Sequence, residues 1–176
     1  MIEIRPGSAA DAPAIAQVRR ESWYAAYSAI IAPSIIARAT ATGGSAANPP
    51  SYRRTLVAVA GEQPAVVGYA SFGPERIVAS AKPGPLTPAG RGGEVGELYA
   101  LYLLPTWWSA GVGRALMTSV LDALRGDRYR RVVLWVLADN ARARRFYERA
   151  GFTVDGGTNI LTGLGGVLEV RYARDV

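Results

Sequence analysis

Apolar and polar residues alternate with a period of two at the start of the chain, Ile2 and Ile4 set between Glu3 and Arg5, which predicts a short strand that Pro6 and Gly7 end. Ser8 then opens a helix whose apolar positions, Ala12, Ile15, Ala16, Val18 and Trp23, fit the helical period only loosely. A second helix is predicted over 33–41, followed by a loop over 42–51. Residues 55–60 and 65–72 read as two strands of a hairpin around Gly61-Glu62-Gln63-Pro64. The proline- and glycine-rich stretch 73–93 reads as a long mobile loop.

Residues 95–104 are apolar on both alternating faces, as expected of a central strand covered on two sides, and Glu97 is the odd member. Residues 109–124 carry Val112, Leu116, Val120 and Leu124 at four-residue spacing and predict a helix; 131–137 (RVVLWVL) predicts a second buried strand. Asp139 and Asn140 cap a further helix with Ala143, Phe146, Tyr147 and Ala150 on one face and a stop at Gly151. Two strands, about 152–155 and 167–174, finish the chain. The order is strand, two helices, three strands, helix, strand, helix, two strands: a mixed α/β sheet, with no internal repeat.

Composition changes the picture mainly by what it removes. The 176 residues include no cysteine and no histidine, so thiol nucleophiles, imidazole bases, disulfides and the commonest transition-metal ligands are all absent, and no metal is expected. Proton transfer falls to carboxylate, tyrosine, lysine or water. The length fits one domain over 1–176, and no apolar run approaches the roughly 20 residues of a membrane span, so a cytoplasmic chain without a membrane partner is expected. The net charge of +6 is carried almost wholly by arginine, whose planar fork suits phosphate.

A site for an anion is visible between residues 97 and 114. A strand, Pro105, a turn and then a helix opening at Gly111-Val112-Gly113 form a phosphate cradle, because bare amides at a helix N-terminus approach a pyrophosphate closely and Arg114 adds a full charge. Neither a P-loop lysine nor the third glycine of a dinucleotide fingerprint is present. Taken alone, the two glycines read first as a helix start that allows close packing.

The stretch ELYALYLLPTWWSAGVGRALM, 97–117, resembles the acetyl-CoA-binding motif of the Gcn5-related N-acetyltransferase (GNAT) superfamily, R/Q-x-x-G-x-G/A, with Trp108 standing where the family has arginine or glutamine. Downstream, LWVLADNARARRFYERAGF, 134–152, is similar to the family's next strand and helix, with Asn140, Ala143, Tyr147, Gly151 and Phe152 in register. The inferred element order matches that fold. The resemblance therefore implies a mixed, mostly antiparallel sheet of about seven strands flanked by about four helices, with a V-shaped splay between the fourth and fifth strands.

It also implies a chemistry: transfer of an acetyl group from acetyl-CoA to a primary amine of a small molecule or peptide by direct attack in a ternary complex. Backbone groups of Leu101 and Leu103 would pair with the pantetheine arm, with Tyr102 between them also at the cofactor, and the amide near Leu103 would polarise the thioester carbonyl. Trp108, Ser109, Ala110, Gly111, Val112, Gly113, Arg114 and Ala115 would surround the pyrophosphate. Asn140 would contact pantetheine or act only as a helix cap, and Tyr147 would contact the cofactor and protonate the departing thiolate, or serve only as a core aromatic. Glu97 is the candidate base, directly or through water, or a carboxylate satisfied by a structural hydrogen bond. Trp23, Tyr24 and Tyr27 are the candidate wall of the amine pocket, with Trp23 and Tyr27 foremost; Asn159 is a weaker one.

Two other readings stand beside this one: a domain that retains acetyl-CoA as a sensor without turnover, and a nucleic-acid-binding surface built from the arginines at 125, 128, 130, 131, 142, 144, 145 and 149. No DNA- or RNA-reading motif accompanies those arginines, so nucleic acid is not the expected partner. Homodimers are frequent in the family and are compatible with this chain.

Overall fold

A computed structural model describes residues 2–41, 52–76 and 95–176; the predicted loop 42–51 and most of the predicted loop 73–93 lie outside the described residues. Seven strands, β1 (Ile2–Pro6), β2 (Arg54–Ala60), β3 (Ala65–Pro74), β4 (Val95–Leu103), β5 (Arg131–Leu137), β6 (Thr153–Leu161) and β7 (Val167–Asp175), form one sheet in the order β1-β2-β3-β4-β5-β7-β6. Among the described residues only the β4–β5 pair is parallel. The helices are α1 (Ala12–Tyr27), α2 (Pro33–Ala41), α3 (Val112–Gly126) and α4 (Ala141–Arg149). The fold expected from the sequence, including the splay between the fourth and fifth strands, is the fold observed.

The two sheet faces are built differently. Leu98, Leu134 and Val136 point to one face, where α3 lays down Val112, Leu116, Val120 and Leu124, each fully buried. At about 1.5–3 kcal/mol per buried aliphatic side chain, this four-residue stripe alone accounts for the helix's attachment. The opposite face packs against α1 and α2 in two smaller clusters, one around Ile15, Val18 and Tyr69 and one around Trp23, Ile36 and Leu137.

Two departures from the predicted boundaries matter for the site. The helix expected from 109 begins at Val112, because Ser109 (φ 64°) and the N-cap Gly111 (φ 84°) both take left-handed backbone and hold 108–111 as a loop. The strand expected over 152–155 runs on to Leu161, carried past an irregular register between Val154 and Thr158 at Gly156 and Gly157.

Candidate active site

The β4–β5 ladder is short. It joins Val95–Leu98 to Arg131–Leu134 and stops, while β4 remains paired to β3 as far as Leu103. A bulge in β4 at Tyr99, where Ser71 pairs with Ala100 and Phe72 with Leu98, bends the strand at the point of separation. Beyond the bulge, Leu104 N–H returns to β3 at Val67 O (2.9 Å), so by alternation the backbone groups of Leu101 and Leu103 face the gap left by β5. The Leu103 carbonyl confirms this direction, since it accepts from Ser22 Oγ (2.5 Å) and from Trp108 Nε1 (3.1 Å) rather than from β3.

The gap opens into a cavity of about 1570 Å³ that also reaches the first turn of α3. That is larger than a pocket for one drug-sized ligand and can take two substrates together. At the α3 end, the first helical bond runs from Ala115 N to Gly111 O (3.1 Å), which leaves the amides from Gly111 to Arg114 outside the helical ladder. Ala115, expected among the cradle donors, is therefore corrected: its N–H is already committed.

The two glycines do different work. A side chain on Gly111 would meet nothing within 4 Å, so open space lies over the cradle, and its φ of 84° demands glycine. A Cβ on Gly113 would sit 3.3 Å from both Leu103 Cδ1 and Phe146 Cε2, so this glycine lets α3 approach β4 and α4. The close-packing reading holds for Gly113 and the anion-cradle reading suits Gly111. Val112 is fully buried in the core, and neither it nor Ala110 offers a side chain to the cavity.

Trp108 ties the cradle down. Its indole N–H holds Leu103 O, and Arg142 from the first turn of α4 stacks on its ring at 4.1 Å and reaches Ser109 Oγ at 3.4 Å. Arg114 and Arg142 both line the cavity here, with Arg149 and Arg174 further along α4 and β7. A pocket with this excess of guanidinium fits a polyphosphate; its donor set suits a coenzyme with a pyrophosphate and a further phosphate.

Asn140 caps α4, accepting from Ala143 N–H (3.1 Å), and it lines the cavity as well, so the two readings offered for it are compatible. Tyr147 also lines the cavity although it is buried, packed edge-on against Phe146 (5.4 Å) and Phe152 (6.2 Å). Burial pushes its hydroxyl well above the ordinary tyrosine range, so it stays protonated at neutral pH and can donate.

On the α1 side of the sheet, Glu97 is fully buried and does not line the cavity. Its carboxylate accepts three bonds from Arg76: the backbone N–H (2.8 Å), Nε (3.1 Å) and Nη2 (2.5 Å). The direct role expected of Glu97 is thereby corrected: among the described residues its carboxylate is taken up by Arg76, which does line the cavity. Register puts Trp135, Leu137, Glu169 and Arg171 on the same face as Glu97. Glu169 lines the cavity and accepts from Asn159 Nδ2 (2.8 Å); burial raises its carboxyl above the usual range.

Trp23 and Tyr27 line this end together, 5.2 Å apart edge to face, with Tyr102 tilted against Trp23 at 6.4 Å. Tyr24 is 39% exposed and lies off the cavity, which removes it from the expected aromatic wall.

Residues 13–152 match the sequence profile of the Acetyltransferase (GNAT) family. The chain belongs to that family. Among solved structures, this GNAT chain is similar to the PaiA N-acetyltransferase of Thermoplasma acidophilum in complex with coenzyme A, with a TM-score of 0.74, 20% identity, and coverage of 100% of this chain and 99% of that one. It is also similar to a GCN5-related N-acetyltransferase of Rhodopseudomonas palustris, with a TM-score of 0.73, 18% identity, and coverage of 99% and 95%. At such identities the likeness is one of fold.

Curated relatives match over a shorter segment. Mycothiol acetyltransferase of Beutenbergia cavernae is 48% identical over 58 residues, 33% of this chain and 20% of that protein. An uncharacterised N-acetyltransferase of Mycobacterium tuberculosis is 43% identical over 60 residues, 34% of this chain and 38% of that protein. The chain thus spans only about a fifth to two fifths of the length of these relatives.

Sequence reasoning missed Arg76, Glu169, Ser22 and Trp135. Arg76 fell inside what read as a loop. Glu169 and Arg171 carried the available signal, two charged residues at a spacing of two between Leu168, Val170 and Tyr172, which marks a polar face pointing into the protein.

Proposed function

We propose that this chain transfers the acetyl group of acetyl-CoA to a primary amine, by direct attack while both substrates occupy the cavity. One observation carries the reading: the free edge of β4 at Leu101 and Leu103 leads to the bare N-terminus of α3, with open space over Gly111. Acetyl-CoA supplies an activated acyl group as a thioester. On the protein's side, the edge of β4 would bind the extended arm as an added strand, with Asn140 nearby. The amides from Gly111 to Arg114, with the side chains of Arg114 and Arg142, would hold the phosphates. Arg142 would supply the charge that Trp108 lacks at the motif's first position.

The N–H of Leu103 shares the direction of its carbonyl, and would donate to the oxygen on which negative charge develops as the amine attacks. One such donor is worth about 10²–10³ in rate. The protonated Tyr147 hydroxyl would give its proton to the departing sulfur. The rest of the acceleration comes from holding amine and thioester together in a site that Trp23, Tyr27 and Tyr102 wall off from water.

Calorimetric titration with acetyl-CoA and with CoA tests the reading, using Gly111→Glu with Gly111→Ala as its control. Both variants carry the same backbone strain, but only glutamate puts a carboxylate into the cradle. Binding by the wild type that survives in the alanine variant and disappears in the glutamate variant supports the site. A wild type that binds neither compound sinks the reading.

A further inference from the structure

The cavity needs a group at its acceptor end that can meet an ammonium ion, and the carboxylates on that sheet face are not equivalent. Glu97 is spent on three donors of Arg76. Asp155 and Glu75 are both paired with Arg171, at 2.8 and 2.7 Å. Glu169 differs. Among the described residues no guanidinium donates to it; Asn159 holds Oε1 at 2.8 Å, which fixes the carboxylate and leaves its second oxygen available, and the side chain lines the cavity.

Its surroundings complete the description. From the end of β3 comes Arg76, already bound to Glu97; from β4, Glu97 itself; from β7, Arg171 within its own ion pairs; from β6, the neutral Asn159. In β5, Leu137 lies opposite Glu169 and Trp135 opposite Arg171, and Ser22, Trp23 and Tyr27 of α1 line the same cavity, none of them charged. The charge of Arg76 reaches the Glu169 carboxylate through space, but its side-chain donors go to Glu97; a carboxylate held by a neutral amide, in a cavity that Trp23, Tyr27 and Trp135 also line, suits a cation with an apolar body.

We propose that Glu169 is the residue that receives the acceptor's ammonium group and takes its first proton, and that the acceptor carries this primary ammonium on an aromatic or aliphatic body lodged against Trp23, Tyr27 and Trp135. The inference rests on the acetyl-transfer reading above. The ammonium gives one proton to the Glu169 carboxylate, which later passes it to water. The freed nitrogen lone pair forms the N–C bond as the carbonyl electrons move to oxygen; those electrons return, the C–S bond breaks, and sulfur leaves with its pair. The second proton the nitrogen sheds replaces the one that Tyr147 gives to sulfur.

The raised carboxyl of Glu169 suits this role, because burial makes it a stronger base than an ordinary carboxylate. Activity then falls as pH drops through that raised value.

The test uses 2-phenylethylamine and its neutral counterpart 2-phenylethanol as probes, with binding read by tryptophan fluorescence at pH 7.5. The wild type is expected to prefer the ammonium by roughly 10-fold or more, the size of one hydrogen bond to a charged group. Glu169→Gln should erase that preference while its calorimetric binding of acetyl-CoA stays intact, and Glu169→Asp should keep part of it. Acetylation of 2-phenylethylamine, followed by thiol release, should lose its acid limb in Glu169→Gln with a larger change in kcat than in KM. No ammonium preference in the wild type, or a preference and acid limb that persist in Glu169→Gln, overturns the proposal. Failure of acetyl-CoA to bind the wild type would instead count against the acetyl-transfer reading, so the two can fail separately.

Discussion

The Arg142 guanidinium lies 4.1 Å over the Trp108 ring while the Trp108 indole N–H holds Leu103 O, so one aromatic side chain links the end of β4 to the first turn of α4. The stack gathers three parts of the proposed anion cradle: the backbone of β4, the 108–111 loop through Ser109, and a positive charge. Trp108 occupies the motif position where the family has arginine or glutamine, and the neighbouring Arg142 brings a guanidinium to that place from another element.

Arg142→Ala should therefore weaken CoA binding about 3- to 10-fold, the range of one solvent-accessible charged hydrogen bond, and lower its dependence on salt. The double variant Trp108→Arg, Arg142→Ala should recover most of the loss, because the charge returns at the motif position. Calorimetry at two salt concentrations measures both effects. If the double variant binds no better than Arg142→Ala, the exchange of charge between the two positions is wrong.

Glu97→Gln separates a base from a structural anchor. Removing the charge weakens the bonds to Arg76, but the Arg76 side chain is 40% exposed and can turn to water, so the loss of stability should be about 1–2 kcal/mol, less than for breaking a fully buried pair. Urea unfolding measures it. The acid limb of the pH–rate profile should remain in this variant, whereas a catalytic Glu97 would take the limb with it.

How far the sequence carried depends on the kind of signal. The stripe of Val112, Leu116, Val120 and Leu124, the apolar run 131–137 and the capping Asn140 are local patterns, and each lies where its period places it. The splay between β4 and β5 was legible only through the family resemblance, because a strand's pairing partners are not written in its own residues. Glu97 was left between two readings for the same reason. An acid in an apolar strand is a base or an anchor depending on what faces it, and Arg76 approaches from 21 residues away in sequence. Glu169 meets its neighbours only when β5, β6 and β7 come into register.

Asp11 fixes the entry to α1 and so the helix that carries Trp23 and Tyr27. Its carboxylate accepts two bonds from Arg5 (2.9 and 2.8 Å) and one each from the Ser8 N–H and Oγ (both 2.8 Å). The Arg5 bonds first, then the Ser8 N–H, hold its pKa well below the ordinary 3.8. A carboxylate lowered in this way stabilises the fold fully above its unfolded value, and that contribution fades as pH falls below about 4 toward the folded-state value. Asp11→Ala should cost about 1–2 kcal/mol at pH 7, the usual scale for a lost cap. The difference from wild type should narrow toward pH 2, as read by urea unfolding at both pH values.

Tyr147 is the residue for which structure and chemistry are hardest to separate, because it belongs to the core cluster and to the cavity at once. Tyr147→Phe keeps the ring contacts with Phe146 and Phe152 and removes only the hydroxyl. If the hydroxyl protonates the leaving sulfur, kcat should fall by about 10²-fold with acetyl-CoA affinity nearly unchanged, since general-acid catalysis contributes on that scale. Burial holds the hydroxyl protonated across the neutral range, so the loss should be the same at pH 6.5 and pH 8.5. A thiol with a lower pKa is a better leaving group and needs the acid less, so an acetyl thioester of an acidic thiophenol should be affected less than acetyl-CoA. Equal losses for the two thioesters would mean that the hydroxyl acts before the C–S bond breaks, as a contact that aligns the donor rather than as the acid.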